Sequence, residues 1–135
     1  MPASLRFTVG LIALGFIAAA VSLAVQKQQV TRADHAAAEA LTGGHVQAGK
    51  VAIVRYGCGA CHSIPGVPRA DGETGPALAK IASRGFLAGK LPNTPEAMIT
   101  WIRAPQSINP GGGMPDMGVT DRDGRDIAAY LYTLR

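Results

Sequence analysis

The chain has 135 residues, 47% hydrophobic and 16% charged, a length that allows one compact domain plus an appendage and argues against two full domains. Its formal net charge of +4 comes from 13 basic and 9 acidic residues, too weak a bias to argue for a nucleic-acid partner. From His45 to Arg135, 39 of 91 residues are hydrophobic and 12 of those 39 are alanine, so large apolar side chains are few at a size where burial is already marginal. Two cysteines three positions apart close no useful loop, and something other than protein is expected to fill part of this core.

Phe7 to Gln26 is an uncharged run of 20 residues bounded by Arg6 and Lys27. At about 1.5 Å per residue a helix there reaches the thickness of a bilayer's hydrocarbon core. Residues 1–26 are therefore expected to be a retained membrane anchor. The competing reading is a cleaved signal peptide, with Ser22-Leu23-Ala24 offering small residues near a cleavage site, although the run exceeds the usual apolar length of about 7–15. Positive residues on both flanks orient the segment only weakly. Either reading exports everything after Lys27. Residues 27–44 are a connector: a polar start, an alanine-rich stretch Ala33–Leu41 of good helix propensity, and a glycine stop at Thr42-Gly43-Gly44.

Residues 45–135 are expected to fold as an all-α domain. Val46–Tyr56 has helical apolar spacing and stops at Gly57. Ser63–Thr74, with Pro65, Gly66, Pro68 and Gly72, is loop. Pro76 opens a short helical stretch, Ala77–Ser83. Thr94-Pro95-Glu96 is a helix start, and that helix runs to Arg103 because Pro105 forbids continuation. Ile108–Gly118 carries three consecutive glycines and two prolines and is irregular. Thr120-Asp121-Arg122-Asp123 caps a last helix, whose buried face is Ile127, Leu131 and Leu134. No run alternates well enough to be a strand.

Cys58-Gly59-Ala60-Cys61-His62 is C-x-x-C-H, the attachment signature of a c-type haem. Two thiols one helical turn apart can each form a thioether to the porphyrin edge, and the adjacent His62 imidazole becomes the proximal iron ligand. A zinc ribbon needs a second cysteine pair, which the sequence lacks. A thioredoxin-type site needs an alternating β/α pattern, also absent. A structural disulfide between Cys58 and Cys61 is the plain alternative. For the second axial position Met114, in Gly111-Gly112-Gly113-Met114-Pro115, is favoured, because flexible backbone can deliver its thioether; Met117 is the alternative. Met98 reads as packing within a helix, and His35 and His45 as solvated. His/Met ligation leaves no open position on the iron, disfavours catalysis there and suits one-electron transfer.

With these residues the segment resembles a class I cytochrome c, from His45 to Arg135. Gly49-Lys50 precedes the haem motif as in bacterial members, and Asp126-Ile127-Ala128-Ala129-Tyr130-Leu131 matches the terminal helix. The resemblance implies that the carbonyl of Pro76, in Gly75-Pro76-x-Leu78, receives the ring N–H of His62. It implies that Arg84 stands near a haem propionate and that Trp101 lines the haem pocket. More narrowly, Leu91-Pro92-Asn93-Thr94-Pro95, Trp101-Ile102-x-x-Pro105-Gln106, and Asn109-Pro110 through Met114-Pro115 are similar to the cytochrome domain fused to subunit II of some bacterial haem–copper oxidases. The resemblance thus implies one covalently attached haem c in a membrane-anchored carrier, not an enzyme. Its haem domain would lie on the periplasmic side of the bacterial inner membrane. Its partners would be a terminal haem–copper oxidase, a quinol-oxidising complex, or both, with no nucleic acid and no small-molecule substrate. A haem subunit serving a periplasmic dehydrogenase, or a cleaved soluble periplasmic cytochrome, is the alternative. Two departures stand out. Ile53 occupies a place where the family often has an aromatic, which shifts the helix contact onto Gly49, Ile127 and Tyr130. The lysine cluster of mitochondrial relatives reads Pro105-Gln106-Ser107-Ile108-Asn109-Pro110-Gly111 here, so long-range steering to an acidic partner is expected to be weak.

Overall fold

The computed structural model describes residues 2–135, in two compact units that divide between Asp34 and His35. Most of the first unit is one helix. Helix α1 runs from Ala3 to Thr42. Within residues 3–34 its apolar side chains, among them Phe7, Leu11, Phe16 and Leu23, are exposed. It is long and apolar enough to cross a membrane.

The second unit begins with the last turns of α1. Ala38 and Thr42 are buried there, and Glu39 accepts the Val46 N–H at 2.9 Å, satisfying an orphan donor of the next helix. The alanine-rich end of the expected connector thus packs as part of this unit's core. Gly43, with φ +68°, ends the helix, as its composition predicts.

Helix α2 (Val46–Arg55) stops before Gly57. Helix α3 (Pro95–Arg103) opens on Thr94, whose hydroxyl accepts from Ala97 N–H. Pro105 then starts a one-turn helix, α4 (Pro105–Ile108). Helix α5 (Asp121–Tyr132) is capped by Thr120 through the Asp123 N–H at 3.1 Å. It is the hub: it packs most extensively on α2 and next on α3, with Ile127, Ala128, Ala129 and Leu131 buried. The fold is mostly helical, as expected.

Two local expectations need correction. Ala77–Ser83 is not a helix; only Ile81–Ser83 forms a 3-10 turn. The carbonyls that a helical ladder would use are recruited elsewhere: Pro76 O faces His62 Nδ1, and Ala77 O and Ala79 O accept from the Arg84 guanidinium. Second, a strand pair exists. β1 (Phe86–Leu87) and β2 (Leu91–Pro92) pair antiparallel, Leu87 opposite Leu91. The turn between them has Ala88 and Gly89 both at positive φ. Two residues a side are too few for an alternation signal.

Candidate functional site

The core of the second unit encloses a cavity of about 590 Å³, within the roughly 300–1,000 Å³ typical of cofactor and small-molecule pockets. Cys58, Cys61, His62, Pro76, Arg84, Trp101 and Met114 all line it, and so does Met117. Residues read as packing, Met98, Ile127 and Leu131, line it too, as does Ile53. Met98 is buried in α3 as expected, yet it also forms cavity wall.

After α2 the chain turns at Gly57 into a 3-10 turn, Cys58–Ala60, which carries the two cysteines to the cavity. Both are free thiols. Burial pushes the Cys58 thiol above its ordinary value, against its own backbone N–H, which lowers it, while the neighbouring Cys61 raises it further. A thiol held protonated is a poor redox nucleophile. Among the described residues no cluster of three or more His, Cys, Asp or Glu side chains could hold a metal ion, which leaves a structural zinc site without a ligand set.

His62 Nδ1 lies 2.8 Å from the carbonyl oxygen of Pro76. A carbonyl only accepts, so in the neutral imidazole the proton is on Nδ1 and the lone pair on Nε2. The imidazole rests against backbone: a Cβ on Gly75 would lie 2.5 Å from His62 Cε1, so that residue has to be glycine. Gly75 N–H donates to Cys61 O at 2.7 Å and Leu78 N–H to Ser63 O at 2.8 Å, which ties this segment to the C-x-x-C-H turn.

Arg84 turns its Nη2 onto the carbonyls of Ala77 and Ala79. Five N–H donors make up a guanidinium, so others remain for an anionic group at the cavity. Asn93 braces the same loop, donating to Ile81 O and Arg84 O at 2.8 Å each, and Tyr132 Oη donates to Asn93 Oδ1 at 3.0 Å. Met114 is half-buried and Met117 is 46% exposed. His35 is half-buried, whereas His45 is exposed and donates its backbone N–H to Asp126 at 2.7 Å.

Several side-chain roles escape sequence reasoning. Tyr56 lines the cavity and donates its hydroxyl to Asp123 at 2.8 Å. Tyr130 Oη donates to Pro65 O at 2.7 Å, pinning the loop after the haem motif to α5. Gln106 hydrogen-bonds the backbone around Met114. None of these bonds is written in a local motif, although Tyr130 and Gln106 lie in segments that carry the resemblance; each bond reaches a partner distant in sequence or lodged in irregular backbone.

A haem fits this donor set: a largely apolar cavity lined by two unpaired thiols, an imidazole hydrogen-bonded through Nδ1, a thioether from the Met114 loop, and a guanidinium. A family model described as cytochrome c matches residues 46–135. Cytochrome c oxidase subunit 2 of Alkalihalophilus pseudofirmus is 33% identical over 88 residues, 64% of this chain and 25% of that protein. The chain thus spans about a quarter of the length of the curated relative it matches. No solved structure matches. The chain therefore belongs to the cytochrome c family as a class I c-type cytochrome, a haem-binding electron-transfer protein.

Proposed function

We propose that this chain is a membrane-anchored one-electron carrier that passes electrons towards a terminal haem–copper oxidase. The observation that carries the reading is the His62–Pro76 hydrogen bond in a cavity that also takes Cys58, Cys61 and Met114. Bound there, haem c supplies a one-electron iron couple. The chain's residues do the rest. Cys58 and Cys61 would hold the ring as thioethers. His62 would present Nε2 to the iron, its ring oriented and made more basic by the Pro76 carbonyl. Met114 would present a neutral sulfur, which favours a higher potential than a second histidine. Arg84 would hold a propionate, and Trp101 would close the wall. With both His62 and Met114 given to the iron, the site would suit one-electron transfer rather than turnover of a small molecule.

The apolar stretch of α1 supports anchoring as a single-pass helix in a bacterial inner membrane, with the haem domain on the periplasmic side. The likeness to an oxidase subunit supports the choice of acceptor. The test is spectroscopic and biochemical. The membrane fraction should hold a protein whose haem survives a denaturing gel. Its oxidised form should show the weak long-wavelength methionine–iron band, and its reduced form should not bind carbon monoxide at neutral pH. Isolation of the native complex should bring the oxidase with it. Carbon monoxide binding would overturn the carrier reading, and co-isolation with a periplasmic dehydrogenase would replace the acceptor by a donor.

A further inference from the structure

The loop that bears Met114 has little of its own to hold it. Residues 109–118 include four glycines and two prolines, lie outside every helix and strand, and bury no side chain fully. A segment of this kind carries much conformational freedom, which opposes fixing a ligand at one point.

The Gln106 side chain reaches the backbone around the methionine. Gln106 stands on α4, next to the fully buried Pro105. Its Oε1 accepts the Gly111 N–H at 3.0 Å. Its Nε2 donates to Gly112 O at 2.9 Å and to the carbonyl of Met114 itself. Its backbone N–H donates to Asp116 Oδ1 at 3.2 Å. A primary amide offers donors and an acceptor together, and here both ends are used on backbone flanking the methionine. Asn109 packs the same turn: a Cβ on Gly112 would lie 2.4 Å from Asn109 Nδ2, and Lys90 Nζ donates to Asn109 Oδ1 at 2.6 Å.

We propose that Gln106 is a positioning residue for Met114, pre-setting the loop so that the methionine is a tight rather than an exchangeable axial ligand. This rests on the assignment of Met114 as that ligand. Preorganisation lowers the ordering cost of ligation, so the consequence is read in competition with an external ligand. Gln106→Glu keeps an acceptor for Gly111 and loses the donor to the two carbonyls. Gln106→Met keeps the length and loses every side-chain bond, leaving only the backbone N–H to Asp116.

The experiment titrates oxidised, haem-loaded full-length protein with imidazole while following the methionine–iron band, and measures amide hydrogen exchange at Gly111. Gln106→Met should need at least tenfold less imidazole to lose the band and should exchange Gly111 at least tenfold faster. Gln106→Glu should fall between it and the wild type. Wild-type titrations for both variants would overturn the positioning role, as would faster Gly111 exchange with unchanged displacement. Met114→Ala in the same series separates the two claims. If it keeps the band, the ligand assignment fails. If it loses the band while the Gln106 variants behave as wild type, only the positioning role fails.

Discussion

Gly49 of α2 lies against the carbonyl of Asp126 in α5, so closely that a Cβ would stand 1.9 Å from that oxygen. The crossing of the two helices that frame the cavity exists because this position has no side chain. Nothing flexible can yield, since the obstacle is backbone. Gly49→Ala should force the helices apart and cost about 1–3 kcal/mol, the usual range for overpacking, or more. Urea unfolding of the haem-loaded protein should show a lower midpoint with an unchanged slope. Val51→Ala, on the 65% exposed face of the same helix, is the control and should stay within about 0.5 kcal/mol.

That contact also shows which parts of the fold a sequence discloses. Helices α3 and α5 were legible because their signals are local: Thr94-Pro95-Glu96 and Thr120 with Asp123 cap their own first turns. The C-x-x-C-H turn was legible for the same reason, its chemistry being contained in five consecutive residues. Ala77–Ser83 was misread because its propensity is local and its fate is not. His62 and Arg84 take the carbonyls a helix would need, and neither claim is written in the segment itself. Gln106 was visible as part of a matching segment, but its role was not, since its partners lie five to eight residues on in backbone without a period.

Met114 and Met117 both line the cavity, but Met114 is half-buried with its carbonyl held by Gln106, whereas Met117 is 46% exposed and precedes Gly118 at positive φ. Removing the thioether that ligates should open the iron; removing the other should not. Met114→Ala should lose the long-wavelength methionine–iron band and let the reduced protein bind carbon monoxide. Met117→Ala should keep the band. The reverse pattern in absorption spectra would move the ligand to Met117.

Asp123 gives the domain an acid limb. The Thr120 hydroxyl, then the Tyr56 hydroxyl, and then the Arg55 guanidinium at 2.6 Å hold its carboxyl below the ordinary aspartate range, outweighing burial. A carboxyl depressed in the folded state contributes stability fully above its unfolded value, near 3.9. It loses that contribution as pH falls through the lower folded one, because the unfolded chain binds the proton first. Asp123→Asn should lower stability at neutral pH and flatten the decline below about pH 4.5. Asp121, also lowered, chiefly through Arg125, should keep part of that decline in place. Thermal unfolding of both proteins as a function of pH checks this; parallel acid limbs would sink it.

The cavity rim bears on how the carrier meets its partner. Among the described residues lining the cavity, Arg84 alone is permanently charged, and its guanidinium is engaged with backbone. Phe86 is 66% exposed and Met117 46% exposed at the same site, and Lys90 nearby directs its ammonium to Asn109. A rim of this kind offers contact area without a strong field, so the tenfold to roughly thousandfold rate gains that steering can give are not available to it. A carrier held in the membrane of its partner, as proposed above, has less need of them, because tethering already raises its effective concentration. Electron transfer from the anchored protein to the purified oxidase should therefore fall less than about threefold as salt is raised to physiological strength, where exposed charges more than about 8 Å apart are largely screened. Phe86→Ala should slow it more than that at any salt, through lost contact rather than lost attraction. A tenfold fall with salt in stopped-flow oxidation would mean that charge away from this rim guides the encounter, and the apolar rim would no longer account for partner choice.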